Sequence, residues 1–404
     1  MFCGDRVVLH CDANNFFASC ECLSRPELAT LPVAVAGNPK TRTGVILAKN
    51  EVAKGFGIKT GEVLWQAKQK CPSLVCLAPH MELYEKISKK IVEIYKDYTD
   101  VIEPFGIDEC WLDITHSKHL FCGGDPEMIA HEIKERVKRE IGLTLSCGVS
   151  FGKLLAKLAS DLKKPDAVTV LDRSNFKQKI YDMPASCLLG VGRKNEVHLL
   201  KMNIRTVGDI AAADEKILKS KFGINGVRLK QKLLGYDTDP VVKTIGKENI
   251  KSVSNSTTTL KDIHTRAEIQ RLVLVLADKV CSRLREYGYV ASKIGIGIKN
   301  EMFEKDSRQQ SLGFFSDNAN EICKNCMQLL DTFFCYNQNI RSVRVCAFGL
   351  KKKNTFQASF FDEDMQKNRT LNCAIDCVRK KYGSHSIVLG SYGALDGILN
   401  TDKV

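Results

Sequence analysis

The 404-residue sequence contains no apolar run long enough to cross a membrane, and its first residues carry only the short run Val7-Val8-Leu9. A secretory signal needs an apolar stretch of about 7–15 residues and a membrane helix needs about 20, so neither is predicted. The sequence also lacks low-complexity tracts and internal repeats, while 44% of its residues are apolar and 26% are charged. We therefore expect an ordered, cytoplasmic, globular protein, and this length predicts two to four domains.

Seventeen cysteines stand out in this composition, but the sequence lacks the spacing of a zinc or disulfide framework. Cys323 and Cys326 form one CxxC pair, and no second CxxC pair or histidine pair follows at zinc spacing. Without a secretion signal, disulfides are not expected. Cys373 and Cys377 are four residues apart, which is typical of one helix face. We expect reduced, mostly buried thiols that act as small hydrophobic side chains.

The positive charge is concentrated in the middle of the chain. The net charge of +13 is made up of −1 over residues 1–172, +12 over 173–300 and +2 over 301–404. A basic stretch alone is usually a solvated surface. A nearly neutral first part followed by a basic middle nevertheless indicates that the middle holds a polyanion.

The first 172 residues alternate between strand-like and helix-like patterns. Once the segment between residues 18 and 79 is set aside, the order is β-α-β-β-α-β with one more helix and strand. This is the split βαβ, or ferredoxin-like, arrangement. Its first strand lies beside the third and parallel to the second, so the end of strand one and the turn between strands two and three share one edge. The strands are expected in 6–12, 100–105, 110–114, 143–150 and 167–171, and the helices in 82–98, 127–142 and 153–162.

Three carboxylates converge at that shared edge. Asp12 ends the first strand, and Asp108 and Glu109 lie in the turn of the stretch "GIDECWLD" (106–113). A solvated turn would explain the adjacent pair, since Asp is a favoured turn residue. Convergence of three acids instead predicts bound divalent cations, most plausibly Mg²⁺, and two such ions support phosphoryl transfer. Asp113 is interpreted as a structural hydrogen-bonding residue.

Three motifs in this order and spacing resemble the Y-family translesion DNA polymerases, closest to their UmuC-like and DNA polymerase IV-like (impB/mucB/samB) branch. They are "HCDANNFFASCE" (10–21), "GIDECWLD" (106–113) and "GVSFGKLLAKLASDLKKPD" (148–166). The resemblance covers nearly the whole chain. It implies an α+β multidomain fold with a ferredoxin-like palm, fingers, a helical helix-hairpin-helix thumb and an α/β little finger. The implied boundaries are palm 1–17 and 80–172, fingers 18–79, thumb 173–240, linker 241–252, little finger 253–352 and tail 353–404.

The resemblance also implies roles for the carboxylates. Asp12 and Asp108 match the metal-binding aspartates, and Glu109 matches the catalytic glutamate. Ala13 matches the position whose backbone carbonyl completes one metal shell. The implied cofactor is a pair of Mg²⁺ ions in each active site.

The nucleotide site is implied in the same way. Phe17 matches the aromatic steric gate beneath the sugar of the incoming nucleotide, and the amides of Phe16 and Phe17 are placed to meet phosphate oxygens. Lys54 and Lys164 match basic residues on the triphosphate. Without the motif, the aromatics would be interpreted as core residues and the lysines as surface charges. Glu51 stands where many relatives carry Tyr, which leaves base selectivity and lesion preference open.

Residues 188–211 contain two glycines in a turn between helical segments and resemble the helix-hairpin-helix of the family's thumb. Gly190 and Gly192 would allow backbone amides to approach DNA phosphates closely. An ordinary helical hairpin is the alternative. The pattern beyond residue 252, with one long amphipathic helix and further strands, is typical of the little finger.

The tail contains "QASFF" (357–361), which resembles the short motif that docks these polymerases on the sliding clamp. Gln357 would be the polar anchor, and Phe360 and Phe361 would be the apolar plugs. Ala358 replaces the usual Leu, and a final strand of the little finger is the alternative interpretation.

Together these features predict a template-directed, error-prone DNA polymerase for lesion bypass, acting on primer-template DNA and dNTPs as a monomer that docks on a sliding clamp. A palm-based nucleotidyl cyclase or nuclease would use the same carboxylates but would not need a basic thumb and little finger. A non-catalytic DNA-binding repair scaffold would leave the carboxylates without a role.

Overall fold

A computed structural model of the chain describes residues 6–42, 44–243, 250–353, 363–383, 386–388 and 390. The chain divides into two compact units, Met1–Gly37 with Val45–Glu248, and Asn38–Gly44 with Asn249–Val404. Within the described ranges, no helix combines the length and apolar composition needed to cross a membrane.

The strands are β1 (Val8–Ala13), β2 (Val33–Ala36), β3 (Ile46–Lys49), β4 (Val75–Leu77), β5 (Ile102–Pro104), β6 (Glu109–Asp113), β7 (Leu145–Ser150), β8 (Val168–Leu171), β9 (Ser252–Ile263), β10 (Tyr289–Asn300), β11 (Lys305–Ser316) and β12 (Ile340–Lys352). The helices are α1 (Phe16–Leu23), α2 (Glu51–Gly55), α3 (Leu64–Lys70), α4 (Met81–Lys96), α5 (Pro126–Ile141), α6 (Lys153–Leu162), α7 (Phe176–Ile180), α8 (Arg193–Lys201), α9 (Val207–Ala212), α10 (Glu215–Leu233), α11 (Arg266–Glu286), α12 (Ala319–Asp331) and α13 (Glu363–Tyr382).

The first unit is built on a five-stranded sheet of order β5-β6-β1-β7-β8. β1 lies between β6 and β7 and is antiparallel to both, and β6 is antiparallel to β5, so β1 and β5 run parallel. This is the ferredoxin-like topology predicted from the sequence, with β8 added parallel to β7.

The central strands of this sheet are covered on both faces. Every residue of β1 and β7 is buried. On one face, α6 packs so closely that a Cβ at Gly148 would collide with the backbone of Ala156 and Ser160. On the other face, Cys11 lies among the buried apolar side chains that α4 and α5 contribute to the core. With both faces occupied, the sheet can present polar groups only at its edge.

A small three-stranded sheet of order β3-β2-β4 forms within residues 33–77 of the same unit. β2 pairs antiparallel with β3 and parallel with β4, and α2 and α3 complete a separate small core around Ala34 and Ile46. Helices α7 to α10 follow the large sheet. The turn that leads into α8 contains Gly190 with a φ of 92°, a conformation that favours glycine.

The second unit is built on a four-stranded antiparallel sheet of order β11-β10-β12-β9. The inner face of this sheet carries Ile294, Ile296 and Val345, which pack with α11 and α12 in a single core. The outer face carries alternate residues that are mostly polar. Its sixteen residues, in register across the four strands, are Lys305, Ser307, Gln309 and Ser311 of β11, Lys293, Gly295, Gly297 and Lys299 of β10, Ser342, Arg344, Cys346 and Phe348 of β12, and Ser252, Ser254, Ser256 and Thr258 of β9.

Half of the sixteen described cysteines are buried, five are exposed and the remainder are intermediate. Cys323 and Cys326 face the core of the second unit from α12, so this CxxC pair serves packing. Cys373 and Cys377 lie exposed on α13. The expectation of mostly buried thiols is therefore too strong, because the long α13 presents its two cysteines to solvent.

Candidate active site

Strand pairing brings the three predicted carboxylates to one edge of the five-stranded sheet. Asp12 lies directly opposite Glu109 in the β1–β6 register, and the amide of Ala13 donates a 3.0 Å hydrogen bond to the carbonyl of Asp108. The side chain of Asp12 is buried. Burial, followed by the charges of Asp12 and Glu109, raises the pKa of Asp108 to about 6. The edge thus concentrates negative charge, which only nearby cations can balance.

Two lysines bind the carboxylate of Asp12. Lys164 Nζ lies 2.7 Å from Asp12 Oδ2, and Lys157 Nζ lies 3.2 Å from the same oxygen. Lys157 also lies 3.1 Å from Glu109 Oε2. Burial opposes the charge of both ammonium groups, but Asp12 and neighbouring acids outweigh it, so the pKa of each lysine is raised. Both lysines therefore carry their positive charge among the three acids.

A histidine and a serine support Glu109 from the side of α6. His10 is fully buried, its Nδ1 lies 2.8 Å from Ser160 Oγ, and its Nε2 lies 3.3 Å from Glu109 Oε2. Ser160 Oγ also lies 2.8 Å from the carbonyl oxygen of Lys157, and a neutral His10 donates from Nε2 to Glu109 only in the tautomer whose Nδ1 accepts from Ser160. Burial disfavours the charged form of Glu109, but His10 and Lys157 outweigh it and lower its pKa to about 2. The adjacent carboxylates of Asp108 and Glu109 are thus pushed in opposite directions.

The acids suit a hard divalent cation by their chemistry. Carboxylate and carbonyl oxygens are the ligands that Mg²⁺ prefers, and burial, followed by the charges of Asp12 and Glu109, raises the pKa of Asp108, so a cation would stabilise its charged form. Within the described ranges, however, no three His, Cys, Asp or Glu side chains are already grouped around one point as a metal site. In this structure the lysines supply the positive charge next to Asp12.

The predicted sugar-facing aromatic lies close to these acids in the chain. α1 begins at Phe16, after Asn15 in a left-handed conformation. Phe16 is buried, whereas Phe17 is half-buried and stacks on the ring of Tyr84 at 4.5 Å between centroids. The hydroxyl of Tyr84 donates to the buried carboxylate of Glu21 (2.6 Å). Phe17 therefore has a flat aromatic support and remains partly exposed.

Lys54 lies on α2, and its ion pair is with Glu51 rather than with the three carboxylates. Its ammonium is 3.3 Å from Glu51 Oε2, and the side-chain Nδ2 of Asn15 donates to Glu51 Oε1 (3.0 Å). Glu51 thus links Lys54 to the residue that precedes Phe16. Of the two predicted basic residues, the structure brings only Lys164 into contact with Asp12.

The loop that carries Lys164 is held at its backbone. The amide of Asp166 donates to Asn14 Oδ1 (2.9 Å), and Asn14 Nδ2 donates to Ser146 Oγ (2.8 Å). The Asp166 carboxylate in turn accepts from Lys134 (2.9 Å) and Lys138 (2.8 Å). These contacts join the end of α6 to β1, β7 and α5.

Sequence reasoning missed His10, Lys157 and Ser160. His10 and Asp12 are two residues apart on a strand and so share a face, which was a usable signal. Lys157 lies four residues from both Lys153 and Asp161 on α6, and its position became meaningful only when α6 was placed against β1. Asp113 was interpreted correctly as structural, because it accepts from Arg6 (2.8 Å) and from Thr115.

Other predicted residues lie apart from the carboxylates. Gly190 and Gly192 are exposed, and a Cβ at either position would meet nothing. Gly190 needs glycine for its backbone, whereas the φ of −81° at Gly192 suits any residue. The predicted clamp-docking residues Gln357, Phe360 and Phe361 lie outside the described residues.

Comparison with known proteins identifies the family. The impB/mucB/samB family matches residues 11–161, and the impB/mucB/samB family C-terminal domain matches residues 250–360. The chain is 42% identical over 388 residues to DNA polymerase IV of Acetivibrio thermocellus, covering 95% of this chain and 97% of that protein. It is 35% identical to DNA polymerase IV of Moorella thermoacetica, covering 96% of each. The chain therefore belongs to the impB/mucB/samB family.

The fold agrees with this assignment. A solved Y-family DNA polymerase chimera superposes with a TM-score of 0.76 at 20% identity, covering 85% of this chain and 98% of that one. The predicted Y-family relationship and α+β multidomain fold class are thereby confirmed.

Proposed function

We propose that the protein is a template-directed DNA polymerase that extends primers past damaged template bases. The observation that carries this proposal is the cluster of Asp12, Asp108 and Glu109 with two lysines at one edge of the five-stranded sheet. Relatives of the same length are named DNA polymerase IV, which gives the cluster its reaction.

The proposed domains are those that the family resemblance implies. Residues 1–17 and 80–172 form the palm, 18–79 the fingers, 173–240 the thumb and 253–352 the little finger, with 241–252 as linker. The five-stranded and three-stranded sheets support the first two assignments. The four helices between residues 176 and 233 and the four-stranded sheet support the other two.

The carboxylates would hold two Mg²⁺ ions through Asp12, Asp108, Glu109 and the carbonyl of Ala13. When bound, these ions supply Lewis-acid stabilisation of the attacking and leaving oxygens in transfer of a nucleotidyl group to the primer 3′-hydroxyl. His10 holds the side chain of Glu109 from behind, and Ser160 of α6 holds His10 at its Nδ1.

The lysines and the aromatic would bind the incoming dNTP. Lys164 offers a partly exposed ammonium to the triphosphate, and Lys157 places a second charge deeper among the acids. Lys54 joins them from α2, and the first amides of α1 would donate to phosphate oxygens. Phe17 packs against the sugar, where a 2′-hydroxyl would lose its water partners.

The outer face of the four-stranded sheet suits a DNA backbone. Lys293, Lys299, Lys305 and Arg344 supply its charge, and no Asp or Glu lies among the sixteen residues of that face. Small hydroxyl side chains surround these cations and can donate to phosphate oxygens without reading bases. Amides near Gly190 and Gly192 in the thumb would add further phosphate contacts.

We also propose that the protein acts in the cytoplasm as a monomer and docks on a sliding clamp through Gln357, Phe360 and Phe361. Its charge distribution, with +12 over residues 173–300, supports the DNA partner. The resemblance of the "QASFF" stretch supports the clamp.

A primer-extension assay tests the proposal. The full chain is incubated with Mg²⁺, dNTPs and a primed template that carries either an undamaged base or one defined lesion. Template-dependent extension past the lesion is the expected result. Mg²⁺-dependent DNA cleavage or cyclic nucleotide formation without extension would point to the nuclease or cyclase, and DNA binding alone would point to a scaffold.

A further inference from the structure

Asp161 is an acid at the proposed active site that is not among the groups proposed to hold the metal ions or the nucleotide. It lies near the end of α6, with Oδ1 2.9 Å from Lys164 Nζ and Oδ2 3.4 Å from Lys157 Nζ. The same two ammonium groups bind Asp12. One surface acid and one buried acid therefore share two lysines.

Asp161 is poorly suited to a purely structural task. Its side chain is 41% exposed, and ion pairs at exposed positions contribute little to stability. It also lies in the last turn of α6 (Lys153–Leu162), where the helix dipole disfavours a negative charge. Loss of its charge should therefore leave the fold intact, and an explanation for that charge has to come from its partners.

The position of the Lys164 ammonium depends on those partners. The backbone beside it is fixed, because Asp166 is held by Asn14, Lys134 and Lys138. The ammonium of Lys164 bridges Asp12 on the inside (2.7 Å) and Asp161 on the outside (2.9 Å). Without Asp161, the ammonium would keep Asp12 as its remaining acidic partner among these contacts and would lose the charge that holds it outward.

We propose that Asp161 is a positioning residue for nucleotide binding, which keeps the Lys164 ammonium available to the triphosphate instead of being bound by Asp12 alone. This inference rests on the proposed function. It predicts that the charge of Asp161 favours triphosphate binding, although a carboxylate acting on the nucleotide directly would repel it.

The test compares D161N with wild type in single-nucleotide insertion on a primed, undamaged template. We expect KM for the dNTP to rise about threefold to tenfold, as for loss of one partly exposed charge contact, while kcat changes less than about twofold. D161E, which keeps the charge, should recover most of the wild-type KM. D97N serves as a matched control, because it removes one charge from an exposed ion pair with Arg136.

A double-mutant cycle with K164M shows whether Asp161 acts through Lys164. In the K164M background, D161N should raise KM by less than about twofold. The dissociation constant of a non-hydrolysable α,β-imido dNTP, measured at equilibrium, should follow the same pattern, with unchanged Tm for D161N.

An unchanged or lowered KM in D161N would overturn the proposal, because Asp161 would then be a bystander or a repulsive charge. An equal effect of D161N with and without Lys164 would also overturn it. Failure of wild type to extend any primer would instead reject the proposed function, so the two failures are distinguishable.

Discussion

The two large sheets of this protein expose different parts of themselves. The five-stranded sheet has both faces of β1 and β7 covered, and its reactive groups lie at the strand ends around Asp12. The four-stranded sheet has helices on its inner face and a polar outer face around Lys293 and Arg344. A sheet covered on both faces can present functional groups only at its strand ends, whereas a sheet covered on one face presents a whole surface to a binding partner. The first geometry suits chemistry at one atom, and the second suits a long, repetitive polyanion.

The difference also determines how much a single residue matters. At the sheet edge, a few buried groups act together, so losing one of them should be severe. On the outer face of the four-stranded sheet, four cations share the interaction with many small hydroxyl groups, so losing one or two cations should weaken binding only mildly.

The largest effect is expected at the edge. Replacement of Glu109 by Gln should lower primer extension by more than about two orders of magnitude, because this carboxylate would act mainly in the transition state. Affinity for primer-template DNA should stay within about twofold of wild type in a gel-shift titration, since the outer face of the four-stranded sheet is unchanged. Near-wild-type extension by E109Q would contradict the assignment of this edge as the site of chemistry.

Sugar selection should change next most strongly. Replacement of Phe17 by Ala should lower the dNTP/rNTP ratio of kcat/KM by about one to two orders of magnitude, because an unsatisfied buried hydroxyl no longer faces an aromatic ring. Phe16 provides the matched comparison, since it is buried in the core. F16A should lower Tm and leave the ratio unchanged. The gate is rejected if F17A instead behaves like F16A.

A smaller effect, on DNA affinity, is expected on the outer face of the four-stranded sheet. The double replacement of Lys293 and Arg344 by Ala should weaken DNA binding about fivefold to tenfold at moderate salt. The magnitude of the slope of log K against log[salt] should fall by about 1 to 2, because fewer counterions are released from the DNA when two phosphate contacts are lost. Replacement of Arg271 and Lys324, which are exposed on α11 and α12, removes the same charge from the helical side. If that control variant loses equal affinity, the outer face is not where DNA binds.

The smallest effect is expected in stability. In metal-free buffer, the pKa of Asp108 is about 6, above its ordinary value of 3.8, so the folded state keeps this proton longer than the unfolded state. Stability from this group therefore falls as pH rises from about 4 to about 6 and stays reduced above that. D108N should then be more stable than wild type at pH 7.5 by about 1 kcal/mol, after allowance for solvent screening of this partly exposed group.

The second unit supplies the opposite case for that measurement. Asp376 accepts two hydrogen bonds from Arg285, at 2.5 and 3.0 Å, and D376N should lower Tm. Added Mg²⁺ should raise the Tm of wild type and not of D108N. Equal Tm values for D108N and wild type at pH 5 and pH 7.5 would show that Asp108 carries no such repulsion.

Much of the first sheet could be predicted from the sequence. Alternation around Val8 and Leu145 and the helical stripes around Ile91 and Ile133 define its elements, and ferredoxin-like topology then brings Asp12 to the turn that contains Asp108. The predicted strands and helices of this region are all found, with ends that differ by a few residues.

The contacts within the site could not be predicted in the same way. Lys157 and Lys164 contact Asp12 only because α6 packs closely on Gly148. The distance between a helix and a sheet cannot be predicted from a local sequence pattern. The support of Phe17 by Tyr84 joins helices that are more than sixty residues apart in the chain. The residues of the outer face of the four-stranded sheet likewise could be identified only from the register of its four strands.

The buried thiols have a practical consequence. Cys110 lies in the first sheet and Cys281 on the helix behind the second, and burial raises the pKa of Cys110 to about 12 and that of Cys281 well above its ordinary range. A thiol reagent can reach them only when the surrounding structure opens, so its labelling rate reports local opening equilibria. Exposed Cys373 and Cys377 would react at once and mark the start of the time course. The chain thus carries native cysteines whose labelling, followed residue by residue, can time the opening of each sheet separately, with no cysteine introduced into either.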